Sequence, residues 1–166
     1  IGLFSKKLNA QIVTDRPDQT ESSSTVPKGS LQLESGILIG YEGENQERIR
    51  QLLLPTNLFR YGVSNWLELR ILNQYELHKL GKNRLEGISD LEIGTKIQML
   101  KDESKSTEMA FLTHLIIPTG TDELSSEKFG SSNKLSISHE VSENISIGYN
   151  LGYNYFGEEK GDFTYS

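Results

Sequence analysis

The residues best suited to chemistry are charged side chains that recur at alternate positions within apolar segments. Glu68 and Arg70 alternate with leucine and isoleucine over residues 67–71, and the same pattern runs through residues 90–99. A period of two places the two sets on opposite faces of a β-strand. If the apolar set faces lipid, the charged set must face a lumen, because a lipid-facing charge costs roughly 2–4 kcal/mol at the bilayer midplane. The lumen-lining candidates are Glu34, Glu68, Arg70, Asp90, Glu92 and Lys96.

Both signs of charge occur among these six candidates, and this leaves two interpretations open. Acidic and basic side chains on neighbouring strands can pair across the sheet and hold the wall together. They can also line a water-filled path and set its charge selectivity. For any single residue, pairing is the favoured interpretation.

Catalytic and metal-binding patterns are weak. The three histidines, His78, His114 and His139, are not spaced as metal ligands, and the chain has no cysteine. Ser138 and His139 are adjacent on one strand and therefore point to opposite faces, so they cannot form a nucleophile–base pair within that strand. The glycine at 120 opens no helix and is followed by no phosphate-binding lysine. The sequence therefore predicts no enzyme activity, no cofactor and no metal.

Strands must position the charged residues, and alternation continues from residue 31 almost to the end. The segments 52–61 and 109–118 are apolar on both faces, whereas the other segments alternate. We count seven strands and the start of an eighth at Phe163. Tight connections near 62–65 and 142–144 contrast with long ones at 76–87 and 119–132. This pattern predicts an all-β fold, an antiparallel up-and-down meander of the kind that forms outer-membrane β-barrels.

Composition and strand length agree with that fold. The 166 residues carry a net charge of −6 with no basic cluster, which argues against a nucleic-acid partner. Mean hydropathy is −0.46, and no run reaches the roughly 18–20 apolar residues of a membrane helix. A ten-residue strand tilted by about 40° spans roughly 25 Å, the height of a barrel's apolar band. Aromatic residues near strand ends are candidates for the interfacial girdles: Tyr41, Tyr61, Trp66, Tyr75, Tyr153 and Tyr155.

Residues 1–30 form a separate polar segment that prolines and Gly29 keep irregular. Its charged residues could fold into the lumen and bond with the wall as a plug or gate, or the segment could be a solvated tail. The plug or gate candidates are Asp15, Arg16, Asp18 and Glu21. The sequence thus divides into an N-terminal arm, 1–30, and barrel hairpins, 31–166.

Short motifs in a fixed order make the chain resemble a known family. They are the segments 14–18, 20–22, 26–29, 32–34, 58–63, 66–70, 87–91 and 118–120, with Gly36, Gly94 and Lys96. This sequence resembles the bacterial outer-membrane family described as "Putative MetA-pathway of phenol degradation", whose members are commonly labelled transporters. The resemblance implies an outer-membrane barrel with a polar N-terminal segment and a role in small-molecule uptake. Ser166 is not the aromatic residue that usually ends such barrels, so the chain is expected to stop before the last strands.

The sequence therefore favours a barrel in the bacterial outer membrane, the outermost layer of the Gram-negative envelope, with lipid around it. The expected function is that of a porin or transporter, a transmembrane protein that lets small solutes pass through a polar lumen without catalysis. One alternative is a structural or docking subunit that binds another envelope protein through an exposed strand edge. A second alternative is a soluble β-sandwich that acts as a binding module.

Overall fold

A computed structural model describes residues 13–15, 21–43, 49–102, 106–142, 144–157 and 160–166. The described chain is an antiparallel meander of nine strands in one sheet, curled into an open half-barrel. The strands are β1 (Leu31–Glu42), β2 (Ile49–Gly62), β3 (Leu67–Leu80), β4 (Asn83–Ile88), β5 (Leu91–Asp102), β6 (Thr107–Ile117), β7 (Gly130–Ser142), β8 (Ile145–Tyr155) and β9 (Asp162–Tyr165).

Each strand of the main path pairs with the strands that flank it in the order β1-β2-β3-β5-β6-β7-β8-β9. The strand β4 lies off this path and pairs only with the far half of β3. Among the described strands, β1 and β9 stand at the two ends of this order. The all-β meander predicted from the sequence is confirmed, and its described strands belong to one sheet rather than to the two sheets of a sandwich.

The buried residues of the half-barrel are mostly polar or charged, although Leu58, Leu72 and Leu112 are buried among them, and this differs from the usual apolar interior of a protein in water. Arg60, Arg70, Lys96 and Glu68 are among the largest fully buried side chains, with relative exposures of 0–1%. Apolar side chains from the same strands, such as Leu69 and Ile71, are 46% and 44% exposed on the opposite face. Because neighbours along a strand face opposite sides, the charged parity lines the inside and the apolar parity covers the outside.

Strand pairing brings the inner residues into rows across the sheet. One row runs from Arg60 on β2 to Arg70 on β3 and Gly94 on β5. The next row pairs Glu68 on β3 with Lys96 on β5. The charged groups of three strands therefore meet at one level of the inner wall.

The region 76–87 differs from the prediction of a long loop. β3 continues to Leu80, and β4 returns along it after a two-residue turn, with Leu80 paired to Asn83. Gly81 adopts φ +58° in that turn, a conformation that glycine accepts without strain. The many charged residues of this hairpin conceal its alternation. The sequence therefore predicts seven strands and the start of an eighth, and β4 is the strand that is missing from that prediction.

The segment 52–61 is part of β2 even though it contains a proline. The register of β2 against β3 shifts between Leu53 and Thr56, so Pro55 lies in an irregularity where no regular ladder bond is required of it. Within the described residues, no helix is both long enough and apolar enough to cross a membrane.

Candidate functional site

The N-terminal arm lies against the inner wall of the half-barrel. Lys28 forms a parallel bridge with Gly62 at the end of β2. The Gly29 nitrogen donates to the Gly62 carbonyl at 2.7 Å, and the Gly62 nitrogen donates to the Ser30 carbonyl at 3.0 Å. A Cβ at position 62 would collide with the carbonyl oxygens of Val26 and Pro27. Glycine at this position therefore allows the arm to cross β2 closely.

Asp15, a residue of the arm, is the centre of the site and is 1% exposed. Its Oδ2 accepts hydrogen bonds from Lys96 Nζ at 2.6 Å and Arg70 Nη1 at 2.7 Å. Arg60 Nη1 lies 3.3 Å from the same oxygen. We call Arg60, Arg70 and Lys96 the cationic triad. Three strands thus direct a positive charge at one carboxylate oxygen.

The wall also supplies two carboxylates that bind the triad. Glu68 accepts from Arg60 Nε at 2.8 Å and from Arg70 Nη1 at 3.1 Å. Glu34 accepts from Arg60 Nη1 at 2.8 Å. Such pairing is needed because an unpaired buried charge is strongly destabilising.

The arm uses its backbone as well as its side chains. The Asp15 nitrogen donates to Glu34 Oε2 and the Val26 nitrogen to Glu68 Oε2, each at 2.8 Å. The Ser22 nitrogen donates to Asp15 Oδ1, also at 2.8 Å. The arm therefore matches both signs of charge on the wall: its amides meet the wall acids and its carboxylates meet the wall bases.

The ionisation of Asp15 follows from this geometry. Burial alone raises the pKa of its carboxyl group, but the nearby charges of Lys96, Arg70 and Arg60, with the hydrogen bond from Lys96, outweigh burial. The pKa of Asp15 is therefore held well below its usual range, and the residue is an anion throughout the physiological range.

Glu21 is the second carboxylate that the arm presents to the wall. Its Oε2 lies 2.7 Å from Arg70 Nη2, and its Oε1 lies 3.9 Å from Lys134 Nζ. Ser136 Oγ donates to the Glu21 carbonyl at 2.6 Å. In the amide orientation that satisfies both of its groups, the side-chain oxygen of Asn150 accepts a hydrogen bond from the Glu21 nitrogen at 2.6 Å. Arg70 thus holds one arm carboxylate on each of its two terminal nitrogens.

Hydroxyl groups hold the next part of the arm against β6 and β7. Ser23 Oγ and Ser24 Oγ each donate to Glu108 Oε2 at 3.1 Å. The hydroxyl oxygens of Ser23 and Ser138 are 2.8 Å apart. A cavity of about 670 Å³ lies beside this contact, between the arm and the strands, and Ser106 and His139 also line it. The arm is therefore bordered by this cavity where it lies against β6 and β7.

Asp90 has a different role from the other lumen-lining candidates. Its Oδ1 accepts from the Gly120 nitrogen at 2.9 Å and from Ser125 Oγ at 2.7 Å. Its Oδ2 accepts from the Ser126 nitrogen at 2.9 Å and from Ser126 Oγ at 2.7 Å. Burial raises the pKa of Asp90, but these hydrogen bonds outweigh it and lower the pKa. Asp90 anchors the β6–β7 loop, which contains a short 3₁₀ helix at Asp122–Leu124.

Glu92 lies apart from the triad and contacts a histidine. Its Oε2 is 2.9 Å from His114 Nδ1. The ring of His114 lies over Gly94, where a Cβ would overlap it. His78 pairs in a similar way with Glu76 at 2.7 Å. Among the described residues, no group of three or more histidines and carboxylates could hold a metal ion.

Ser138 and His139 have separate partners. Ser138 contacts the arm, whereas His139 Nδ1 lies 3.0 Å from Thr107 Oγ1 and His139 Nε2 lies 3.2 Å from the Tyr149 hydroxyl. The two side chains are neighbours along β7 and point to different faces, as the strand geometry requires.

The outer face exposes large apolar side chains along the strands. Leu31 is 69% exposed, Ile37 and Val141 are 61% exposed, and Phe163 is 85% exposed. The aromatic girdle candidates are exposed as well, by 38–56%: Tyr41, Tyr61, Trp66, Tyr75, Tyr153 and Tyr155. An apolar surface this extensive marks a site of contact with a membrane or a protein.

The structure brings together four of the six lumen-lining candidates, Glu34, Glu68, Arg70 and Lys96, with Asp15 and Glu21 of the arm. Arg16 and Asp18 lie outside the described residues. The sequence interpretation missed Arg60, because it took 52–61 as apolar on both faces. The signal was present, since Leu58, Arg60 and Gly62 alternate with Phe59 and Tyr61.

Comparison with known proteins identifies a family but no individual relative. No curated protein and no solved structure shows a significant match to this chain. A family model described as "Putative MetA-pathway of phenol degradation" matches residues 14–165, which span both the arm and the sheet. The chain therefore belongs to this family, as the ordered motifs of its sequence predicted.

Proposed function

We propose that this chain forms the wall of an outer-membrane β-barrel through which small solutes pass, with the N-terminal arm acting as a plug in the lumen. The observation that carries the proposal is the reversed polarity of the sheet. Charged and polar side chains make up most of the buried residues, with a few leucines among them, whereas leucine, isoleucine and tyrosine cover the outside. This arrangement suits a wall with lipid outside and water inside.

Strand length supports the same function. The 11 residues of β6 extend about 36 Å at roughly 3.3 Å per residue. A tilt of about 40° reduces this to roughly 28 Å, slightly more than the apolar band of about 25 Å in such barrels. The seven strands of 11–14 residues, β1–β3 and β5–β8, are long enough to cross an outer membrane, whereas β4 and β9 are shorter.

The plug role of the arm is supported by its contacts with the wall. Asp15 and Glu21 reach bases on β3 and β5, and Ser23 and Ser24 reach Glu108 on β6. An arm held in this way fills the space through which a solute would pass, so it would have to move for the path to open. The family description connects its members with phenol degradation, so small organic molecules are the solutes to test first.

Two measurements test the proposal: cell fractionation, and the gel mobility of boiled protein compared with unboiled protein. We expect the chain in the outer-membrane fraction, with a mobility that changes on boiling because a closed barrel resists detergent until it is heated. A detergent-free soluble protein with unchanged mobility would contradict the proposal.

A docking role is a second candidate, and the edges of the sheet favour it. β1, with 12 residues, stands at one end of the order of described strands, and the edge of a sheet can bind a strand of another chain. A membrane-embedded protein that conducts no ions and co-purifies with one envelope protein would support docking over solute passage.

A further inference from the structure

The cationic triad has a charge that the wall alone does not balance. Arg60, Arg70 and Lys96 contribute three positive charges, and the wall carboxylates Glu34 and Glu68 contribute two negative ones. One positive charge remains within this group of wall residues, and two arm carboxylates reach it: Asp15 contacts Lys96 and Arg70, and Glu21 contacts Arg70 and lies 3.9 Å from a further wall base, Lys134. All three members of the triad are 0–1% exposed while the arm is in place.

The geometry around Asp15 is that of a carboxylate-binding site. Its Oδ2 receives Lys96 and Arg70 at 2.6 and 2.7 Å, with Arg60 at 3.3 Å. Among the described residues, its Oδ1 receives one backbone N–H of the arm itself, that of Ser22. In this part of the chain the wall provides the cations, and the arm provides the carboxylate together with one amide. Arginine side chains recognise carboxylates through planar, directional hydrogen bonds.

We propose that the cationic triad binds the carboxylate group of a solute, and that Asp15 occupies this site as an internal substitute while the arm is docked. This inference rests on the proposed function, because it names the class of solute that the lumen selects. A small organic carboxylate competes with Asp15, whereas a neutral analogue does not. An anion is required because the solute takes the place of Asp15, whose carboxylate binds Lys96 and Arg70.

The competition between a solute carboxylate and Asp15 is expected to shift the docking equilibrium of the arm in one direction, and this shift can be measured. A solute shifts the docking equilibrium only through a difference in affinity between the docked and undocked states. The triad is occupied in the docked state and available in the undocked state, so a carboxylate stabilises the undocked state. Occupation of the triad therefore releases the arm and couples solute binding to opening of the lumen.

A single cysteine reports arm docking, since the natural chain has none. Ser23 belongs to the arm and is 4% exposed while the arm is docked, so Ser23→Cys is expected to react slowly with a maleimide and faster when the arm leaves the wall. In this full-length chain, benzoate is expected to accelerate labelling several-fold, whereas its neutral isostere benzamide at equal concentration leaves the rate unchanged. Equal effects of benzoate and benzamide would overturn the proposal.

Chemical rescue provides a second, independent measurement. Asp15→Gly in the Ser23→Cys chain removes the carboxylate and leaves space for a small anion, so labelling should be fast. Formate is expected to fill that space and slow labelling, by a larger factor than chloride at equal concentration. Formate and chloride acting alike would overturn the proposal. Glu127→Gly, which removes an exposed loop carboxylate, is the matched control and should label slowly with or without formate.

These measurements do not need a conducting pore, so the two proposals can fail separately. A chain that shows the benzoate effect but conducts no ions retains the carboxylate site and contradicts the transport function. A conducting chain that responds equally to benzoate and benzamide retains the transport function and contradicts the carboxylate site.

Discussion

At the scale of single residues, the defining feature is a set of buried charges that depend on one another. Arg70 contacts Asp15, Glu21 and Glu68 through its terminal nitrogens at 2.7–3.1 Å. Removing one partner from such a network leaves the remaining charges buried without compensation, which costs far more than a surface ion pair contributes.

Arg70→Met tests this dependence. We expect it to lower the free energy of unfolding by about 3–5 kcal/mol, because three buried carboxylates lose a cation. Lys101→Met is the matched control, since Lys101 pairs with Glu108 at 3.4 Å and its side chain is 54% exposed. The control should lose at most about 1 kcal/mol. Denaturant unfolding in detergent measures both values, and equal losses would contradict the network.

The lowered pKa of Asp15 predicts how arm docking depends on pH. A carboxyl group whose folded-state pKa is depressed contributes stability above its unfolded value, near 3.9, and loses that contribution as pH falls toward the folded value. Hydrogen exchange of the Ser22 amide, which donates to Asp15, is the measurement. After correction for intrinsic exchange rates, we expect constant protection from pH 8 to about pH 5 and a decline only below about pH 4. A decline centred near neutral pH would implicate another group.

At the scale of elements, the fold depends on close approaches between segments that are distant in sequence. The arm crosses β2 at Gly62, where the carbonyl groups of Val26 and Pro27 leave no room for a side chain. The β6–β7 loop is held to the start of β5 by four hydrogen bonds to Asp90. Each of these two contacts can be tested by its own single substitution, which is expected to leave the strands intact.

Gly62→Val should displace the arm from the wall. Its side chain would occupy the path of residues 26 and 27, so the arm must move away while the β2–β3 pairing persists. Maleimide labelling of Ser23→Cys should become about tenfold faster, the change that corresponds to 1.4 kcal/mol of lost docking free energy. Gly40→Ala is the control, because its Cβ meets only the flexible Gln51 side chain, at 3.3 Å or more, and the side chain of Leu38. Unchanged labelling in Gly62→Val would show that the arm does not depend on this crossing.

Asp90→Asn should loosen the β6–β7 loop. The amide nitrogen cannot accept the hydrogen bonds that Asp90 now receives from the backbone and hydroxyl groups of that loop. We expect trypsin to cleave after Lys128, an exposed loop residue, faster than in the natural chain. Asp122→Asn, at an exposed position in the same loop, controls for the loss of a charge. Equal cleavage rates in the two variants would mean that Asp90 does not anchor the loop.

The sequence predicted the elements better than it predicted the site. Alternation was enough to predict strands, because a period of two places successive residues on opposite faces of a sheet, and the connection lengths then favoured a meander. The buried network was harder to foresee, since Asp15 and Arg70 are 55 residues apart and nothing in their local sequence indicates contact. Arg60 was missed within an apolar segment, and β4 was missed within a charged one. In both cases local composition concealed the period.

At the scale of the whole molecule, the reversed polarity predicts how substitutions on the outer face behave. Leu151→Lys, at the seventh of the 11 residues of β8 and 55% exposed, should cost about 2–4 kcal/mol if lipid covers this face. Val141→Lys, near the end of β7, should cost only about 0–1 kcal/mol because the interface tolerates charge. Unfolding from lipid vesicles measures both. Two equally small losses would indicate that water covers the outer face.

The central claim is that a polar lumen crosses the membrane and that the arm closes it. Ion conductance across a planar bilayer, compared between the natural chain and Gly62→Val, tests this claim most directly. We expect discrete channels in both, with a larger conductance or a longer open time in Gly62→Val because its arm is displaced. Identical conductance in the two chains would contradict closure by the arm, and absence of conductance in both would contradict the lumen itself.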